Sequence, residues 1–108
     1  MFYKKHDTGF KIALEGVRFK TLAFGDKTLL AEFRLSRGSK VPEHSHPHEQ
    51  TGYMISGHMR FFVEGKTIDV EPGDAWNIAG EVPHGVEVLD DSVVIEVFSP
   101  KREDYLPE

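Results

Sequence analysis

Short segments that alternate apolar and polar residues, each closed by a turn, run along most of this chain. The clearest is Thr28–Leu35, in which every odd-numbered residue is apolar: Leu29, Ala31, Phe33 and Leu35. A period of two is typical of a half-buried β-strand, and turn residues recur here at intervals of about 8–12 residues. No stretch of ten residues has the pattern of an amphipathic helix. The sequence therefore predicts an all-β fold, either a sandwich or a barrel.

The remaining strands are predicted from the same alternation and from the glycine- and proline-rich turns between them. We expect them at 10–15, 17–22, 51–56, 59–64, 67–70, 75–78, 86–89 and 93–98, with Gly57 ending one strand and a loop at 36–40. A chain of 108 residues is the size of a single domain. We expect N-terminal strands at 10–24, further strands at about 28–99 and a charged tail at 99–108.

Composition excludes several classes of protein. The chain has no cysteine, so disulfides and thiolate chemistry are absent. A formal net charge of −5 argues against a nucleic-acid partner, which prefers a basic face. No apolar run approaches the roughly 18 residues of a membrane span, and the N-terminus lacks the apolar stretch of a signal peptide. We therefore expect a soluble, cytoplasmic protein without a nucleic-acid or membrane partner.

A histidine-rich segment is the strongest chemical signal. His44 and His46 would share one face of an extended chain, and Gln50 follows close behind. Imidazole is the commonest metal ligand in proteins, and an amide oxygen can complete a site. His84, in a later turn-bounded segment, is the candidate fourth ligand. The alternative is a polar surface loop that is rich in histidine. We expect His48 to face solvent, since Pro47 perturbs the strand.

The last predicted strand carries a possible acid. Glu96 shares a face with Val94 and Phe98, so it would be buried if that face lines the barrel, and burial would raise its pKa. The alternative is an outward glutamate on a half-exposed strand. Phe98 is more typical of a core residue than of a sugar-stacking ring. Arg102 could bind a carboxylate through its planar fork, or it could be an exposed residue of the tail.

These residues resemble the two motifs of the cupin superfamily. The first motif is matched with its spacing intact by Gly38, His44, His46, Gln50 and Gly57, with Gln50 standing where the family usually has Glu. The second motif is matched in part by Gly73 and His84, while Ala79, Glu81 and Val88 replace its Pro, Gly and Asn. The resemblance covers about residues 28–99. It implies a double-stranded β-helix, or jelly-roll barrel, with one divalent transition metal (Ni, Zn, Fe or Mn) held by His44, His46, Gln50 and His84.

The end of the chain resembles the KdgF-type pectin-degradation cupins, which linearise 4,5-unsaturated uronates and are dimeric. That group also tends to carry Gln at the fourth ligand position and Gly after the second-motif histidine, as Gly85 does here. The resemblance implies that Glu96 is the catalytic acid/base, although close members carry Asp there. It also implies that Phe98 and Arg102 bind substrate, with Arg102 orienting its carboxylate.

The sequence therefore favours a metal-dependent enzyme that opens the ring of a small carboxylated sugar to a keto acid. A metal-dependent dioxygenase and a non-enzymatic binding protein with a structural metal remain open, because one cupin site hosts many chemistries. We expect a homodimer, in which the N-terminal strands at 10–14 and 17–22 pair across subunits and hide their edges.

Overall fold

A computed structural model describes residues 1–107, and these residues form eight antiparallel strands and one short 3-10 helix. The strands are β1 (Lys11–Leu14), β2 (Val17–Phe24), β3 (Leu29–Leu35), β4 (Lys40–His44), β5 (Glu49–Val63), β6 (Lys66–Val70), β7 (Ala75–Ile78) and β8 (His84–Ser99), and the helix is Glu103–Tyr105. The all-β prediction is confirmed. The described residues contain no helix that is long and apolar enough to cross a membrane.

Two long strands, β5 and β8, run through both layers of the structure. In one layer the order is β1-β2-β3-β8-β5-β7, formed by the first half of β5 and the second half of β8. In the other layer the order is β4-β8-β5-β6, formed by the opposite halves of the same two strands. Two antiparallel layers that share their central strands form the double-stranded β-helix, or jelly-roll barrel.

Gly57 bends a strand instead of ending it. The segments predicted separately at 51–56 and 59–64 are one strand, β5, and those at 86–89 and 93–98 are one strand, β8. Gly57 has a φ of +99°, and the β5–β8 register shifts on either side of it. A bulge of this kind kinks a strand and allows it to pass from one layer to the next. Local sequence signals the turn, whereas only the partner strand shows that pairing continues beyond it.

The loop predicted at 36–40 ends one residue early, because Lys40–His44 forms strand β4. This strand pairs with the beginning of β8, where His44 lies opposite His84. Its own side chains are mostly exposed, so its sequence lacks the alternation that marks the other strands. The pairing nevertheless determines the site, because it brings the two parts of the predicted metal cluster side by side.

The inward-facing side chains of both layers form the core. In β3 the four odd-numbered residues are buried as predicted, and Leu29 and Ala31 are fully inaccessible. Aromatic side chains continue the core toward one end of the barrel, where Phe33 lies 6.3 Å from Phe98 between ring centroids. Polar residues on the same inner face line a cavity next to these aromatic side chains.

We predict that Gly57→Ala destabilises the protein by about 2–5 kcal/mol. The new Cβ would overlap Ser92 and the carbonyl oxygen of Asp91, and an L-residue is strained at this φ. Gly65→Ala is the matched control, since Gly65 has a φ of +75° but open space around it. Its cost should be only the backbone strain, about 1–2 kcal/mol. Urea unfolding measures both, and equal losses would contradict the steric explanation.

Candidate functional site

A cavity of about 640 Å³ opens between the two layers. This volume lies within the range of about 300–1,000 Å³ that is common for small-molecule sites. Most of its wall is apolar, contributed by core residues such as Phe33 and Phe61. The polar and charged residues that line it are Lys11, His44, His46, Gln50, His84, Glu96, Arg102, Asp104 and Tyr105. All of the site residues predicted from the sequence therefore line one cavity.

Three histidines converge on one side of this cavity. His44 is the last residue of β4 and His84 is the first of β8, and the two are directly paired. His46 lies just beyond the end of β4, in the segment that leads to β5. One ring nitrogen from each of the three lies within 4.8 Å of the others. His48, which the sequence predicts to face solvent, is half-buried, and its Nδ1 is inaccessible.

Backbone carbonyls hold the three imidazole rings in a single orientation. Nδ1 of His44 lies 2.9 Å from the oxygen of Pro42, and Nδ1 of His84 lies 2.8 Å from that of Val82. His46 makes the same contact with the oxygen of its neighbour His48, at 2.9 Å. A carbonyl only accepts, so each Nδ1 carries the proton and each Nε2 keeps its lone pair. This second contact is the usual support of a metal-bound histidine.

One of these Nε2 atoms is buried without a partner. Nε2 of His84 is buried and makes no hydrogen bond with any described residue. An orphaned buried acceptor is costly in a folded protein unless a ligand satisfies it. The pKa values of His46 and His84 are both lowered, chiefly because burial disfavours the charged ring. Neutral rings with lone pairs directed to a common point are the form that binds a metal ion.

Gln50 extends the set to four candidate ligands. It is buried on the inner face of β5, and its Oε1 lies 2.8 Å from Nε2 of His46. Both atoms are acceptors when the ring is protonated on Nδ1, so the contact requires a positive group to satisfy them. Metal–nitrogen and metal–oxygen bonds in proteins are about 2.0–2.2 Å long, so two atoms this close could both bind one cation. The four residues therefore fit a divalent transition metal.

Glu96 lies beside these candidate ligands and is buried, with 8 % of its surface exposed. Its Oε2 accepts a hydrogen bond of 2.7 Å from Nε2 of Gln50. It accepts a second, of 3.0 Å, from Nε1 of Trp76. Burial raises the pKa of the Glu96 carboxyl, and these two hydrogen bonds and the charge of Arg102 oppose the rise. A buried carboxyl with an elevated pKa suits proton transfer.

Arg102 closes another side of the cavity, and its side chain is 15 % exposed. Asp104 binds its guanidinium at two points, Nε to Oδ1 at 3.1 Å and Nη2 to Oδ2 at 2.8 Å. The guanidinium carbon also lies 4.2 Å from the ring centroid of Tyr105 and 5.2 Å from that of Phe98. Asp104 engages one edge of the fork, so the other donors are available to an anion in the cavity.

Phe98 is among the most deeply buried side chains, with 2 % of its surface exposed. Its ring lies 6.1 Å from that of His46 and 5.5 Å from that of Tyr105 between centroids. It therefore packs beneath both the histidine cluster and Arg102. This position agrees with the prediction of a core residue, and it supports the site more than it offers a surface for stacking.

Sequence reasoning missed two residues of this site. Trp76 has the pattern of an ordinary large aromatic residue of a core or pocket wall, but its indole N–H reaches Glu96. Asp104 looked like one more charge in a solvated tail, but it orients Arg102. Trp76 follows a turn signal, and Asp104 lies in a run of charged residues. Neither pattern indicates which side chain each residue contacts in the fold.

Comparison with known proteins decides the family. A family model of the cupin domain matches residues 31–99. The chain belongs to the cupin family. It is 31 % identical over 94 residues to the pectin degradation protein KdgF of Dickeya dadantii strain 3937. The aligned residues cover 85 % of this chain and 86 % of that protein.

Solved structures agree with this assignment. The structure of KdgF from a Halomonas species superposes with a TM-score of 0.91 at 30 % identity, covering 98 % of each chain. The polyketide cyclase RemF from Streptomyces resistomycificus superposes with a TM-score of 0.80 at 26 % identity, covering 93 % of this chain and 80 % of RemF. The resemblance to KdgF-type cupins that the sequence predicted is confirmed.

We predict that His46→Ala abolishes stoichiometric uptake of a divalent metal. The variant loses one of the converging imidazoles and also the contact with Gln50. His58→Ala is the control, because His58 is half-buried beside Asp69 on the outside of the barrel. Elemental analysis after untagged purification and zinc titration measures both. Stoichiometric metal in the His46 variant would contradict the four-ligand site.

Proposed function

We propose that this cupin is a metal-dependent enzyme that linearises 4,5-unsaturated uronates, the ring-form products of polyuronate-cleaving lyases. The observation that carries the proposal is a buried acid, Glu96, that lines one cavity together with a cluster of candidate metal ligands and an arginine. Similarity to two KdgF proteins, one of them named for pectin degradation, supports the choice of substrate.

The substrate carboxylate binds Arg102 in this proposal. Arg102 lines a largely apolar cavity, where a charge-assisted hydrogen bond is stronger than in water. Asp104 and the ring of Tyr105 hold the guanidinium on its other sides. His44, His46, Gln50 and His84 would hold one divalent metal ion, with Ni, Zn, Fe and Mn all compatible with the ligand types. Such an ion supplies Lewis acidity toward the substrate carboxylate and an adjacent oxygen.

Glu96 moves the proton that the isomerisation requires. The anomeric hydroxyl loses its proton, the bond between the anomeric carbon and the ring oxygen breaks, and an aldehyde forms. The ring oxygen takes up the proton that the anomeric hydroxyl lost and becomes the enol hydroxyl on C5 of the substrate. The enol then loses its O–H proton and gains one on C4, which gives the keto acid. No atom is gained or lost, so no co-substrate is needed. A carboxyl with a pKa raised by burial can both accept and return a proton.

We predict that Glu96→Gln lowers kcat for unsaturated galacturonate by about 10²–10⁴-fold, the usual contribution of a general acid or base. Glutamine keeps the shape and an acceptor for Trp76, so metal content should not change. Glu49→Gln is the control, because Glu49 is exposed at the start of β5 and contacts Asn77. Loss of the ultraviolet absorbance of the conjugated double bond measures turnover.

The same assay separates the alternatives that the sequence left open. If the metal-loaded wild-type protein does not consume the unsaturated uronate, the proposed reaction is wrong. Oxygen uptake with an enolic substrate would then favour a dioxygenase. Ligand binding without turnover, combined with unfolding on chelation, would favour a binding protein with a structural metal.

We also propose that the protein is a homodimer formed through its N-terminal strands. β1 is at the edge of its sheet and pairs on one side with β2. Ile12 in this strand is 77 % exposed, which is unusual for a large apolar residue. An unpaired edge with exposed apolar side chains is suited to pairing with a second copy around a two-fold axis.

We predict that Ile12→Arg shifts the protein from dimer to monomer in sedimentation velocity, because it places a charge in the proposed interface. Ile68→Arg is the matched control, since Ile68 is also exposed, at 47 %, but lies in β6 at the opposite end of the strand order. A monomeric wild-type protein, or equal effects of both variants, would contradict this interface.

A further inference from the structure

Three neighbouring strands place Trp76, Gly52 and Glu96 in one row. Gly52 of β5 lies opposite Trp76 of β7 on one side and opposite Glu96 of β8 on the other. All three positions belong to the inner face of the layer, together with Gln50 and Met54 of β5. Side chains in one cross-strand row are the closest neighbours that a sheet provides. Strand β5 lies between Trp76 and Glu96, so their side chains can make contact only if the residue between them leaves room.

Gly52 provides that path because it has no side chain. A Cβ at this position would overlap the Cε2, Nε1 and Cζ2 atoms of Trp76, so the indole lies directly over the glycine. The ring is fixed further by Phe61, whose centroid is 4.9 Å away. A glycine inside a strand usually weakens it, and one reason to have it is the close approach of another group. Here the group is the indole of Trp76.

The indole ends at one oxygen of Glu96. Its Nε1 donates to Oε2 at 3.0 Å, and Nε2 of Gln50 donates to the same atom at 2.7 Å. Among the side chains of residues 1–107, these are the two donors to Glu96, and neither engages Oε1. The carboxyl group is therefore held at one oxygen, and the other remains available to a molecule in the cavity that Glu96 lines.

We propose that Trp76, acting across Gly52, is the positioning residue that selects Oε1 of Glu96 as the oxygen that exchanges protons with substrate. This inference rests on the proposed function of Glu96. Trp76 does not line the cavity, so it acts through Glu96 and not by touching the substrate. It also fixes the side chain of Gln50 indirectly. With the amide nitrogen directed to the held Oε2, the amide oxygen is directed to the histidine cluster.

The hydrogen bond itself can be tested without any turnover. Trp76 is the only tryptophan in the chain, so the indole N–H gives a single signal in a proton–nitrogen correlation spectrum. A bond to a carboxyl oxygen moves this proton downfield and slows its exchange with solvent. We expect Glu96→Leu to move the signal upfield and to speed exchange, in chelator-treated protein and after zinc addition alike. Glu49→Gln should leave the signal unchanged. An unaltered signal in Glu96→Leu would overturn the proposal.

The positioning role is tested with Trp76→Phe, which removes the N–H and keeps an aromatic ring. Misplacing a reacting group by about 1 Å can cost about 10²-fold in rate, so we expect kcat to fall about 10- to 100-fold. KM should change by less than about threefold, because Arg102 and the four candidate metal ligands remain in place. Metal content should equal that of the wild type. An unchanged kcat, or a loss explained entirely by lost metal, would overturn the proposal.

Gly52→Ala supplies an independent test of the path. The added methyl group should displace the indole and lower kcat as Trp76→Phe does, while shifting the indole signal. In the Trp76→Phe background the same methyl group meets a smaller ring, so its further effect on kcat should be less than about threefold. Fully additive effects would overturn the coupling between the two positions. A wild-type protein without turnover would refute the proposed function and the positioning role, and the indole signal would still show whether Trp76 binds Glu96.

Discussion

The pairing of β5 with β8 is the constraint on which the site depends. This ladder places Gln50 opposite Phe98 and Gly52 opposite Glu96. At its far end it pairs Val63 with His84, the first residue of β8. Side chains alternate between faces, so a slip of one residue would turn every inward group of β5 toward solvent. The bulge at Gly57 allows the same ladder to continue from one layer into the other. Fold and site are thus specified by one register, and the hydrophobic core enforces it.

The electrostatics of the cavity explain why position 50 carries an amide. Nε2 of Gln50 lies 2.7 Å from Oε2 of Glu96, so a glutamate in its place would bring two carboxylates into contact. Two like charges at this distance cannot both be ionised without a large cost. The amide avoids this conflict because it donates to Glu96 from one end and presents an oxygen to the histidines from the other. Glutamine at position 50, where cupins usually have glutamate, is therefore explained by the buried carboxyl of Glu96 beside it.

The local sequence predicted the features that depend on neighbouring residues alone. Alternation identified the buried face of β3, and the spacing of the histidine motif identified the residues that meet in the cavity. The sequence did not predict that β5 and β8 are continuous strands. A glycine in a β-bulge and a glycine in a turn have the same local sequence pattern, and only the partner strand distinguishes them. Nor did it predict β4, whose exposed residues carry no periodic signal. The contact between Trp76 and Glu96 was not predicted for a similar reason, since it depends on a glycine in another strand.

The tail shows how an exposed charge can become part of a site. Tyr105 packs 4.3 Å from Phe19 between ring centroids, and burial raises the pKa of its hydroxyl. This anchor, and not the charges around it, folds the 3-10 helix over the cavity and carries Arg102 inward. The ion pair with Asp104 contributes little to stability, because Asp104 is 58 % exposed and surface pairs are worth about 0–1 kcal/mol. Its effect is orientation: Asp104 holds one edge of the guanidinium of Arg102, a residue that lines the cavity. A carboxylate that enters there meets a cation already aligned, and little ordering entropy is lost on binding.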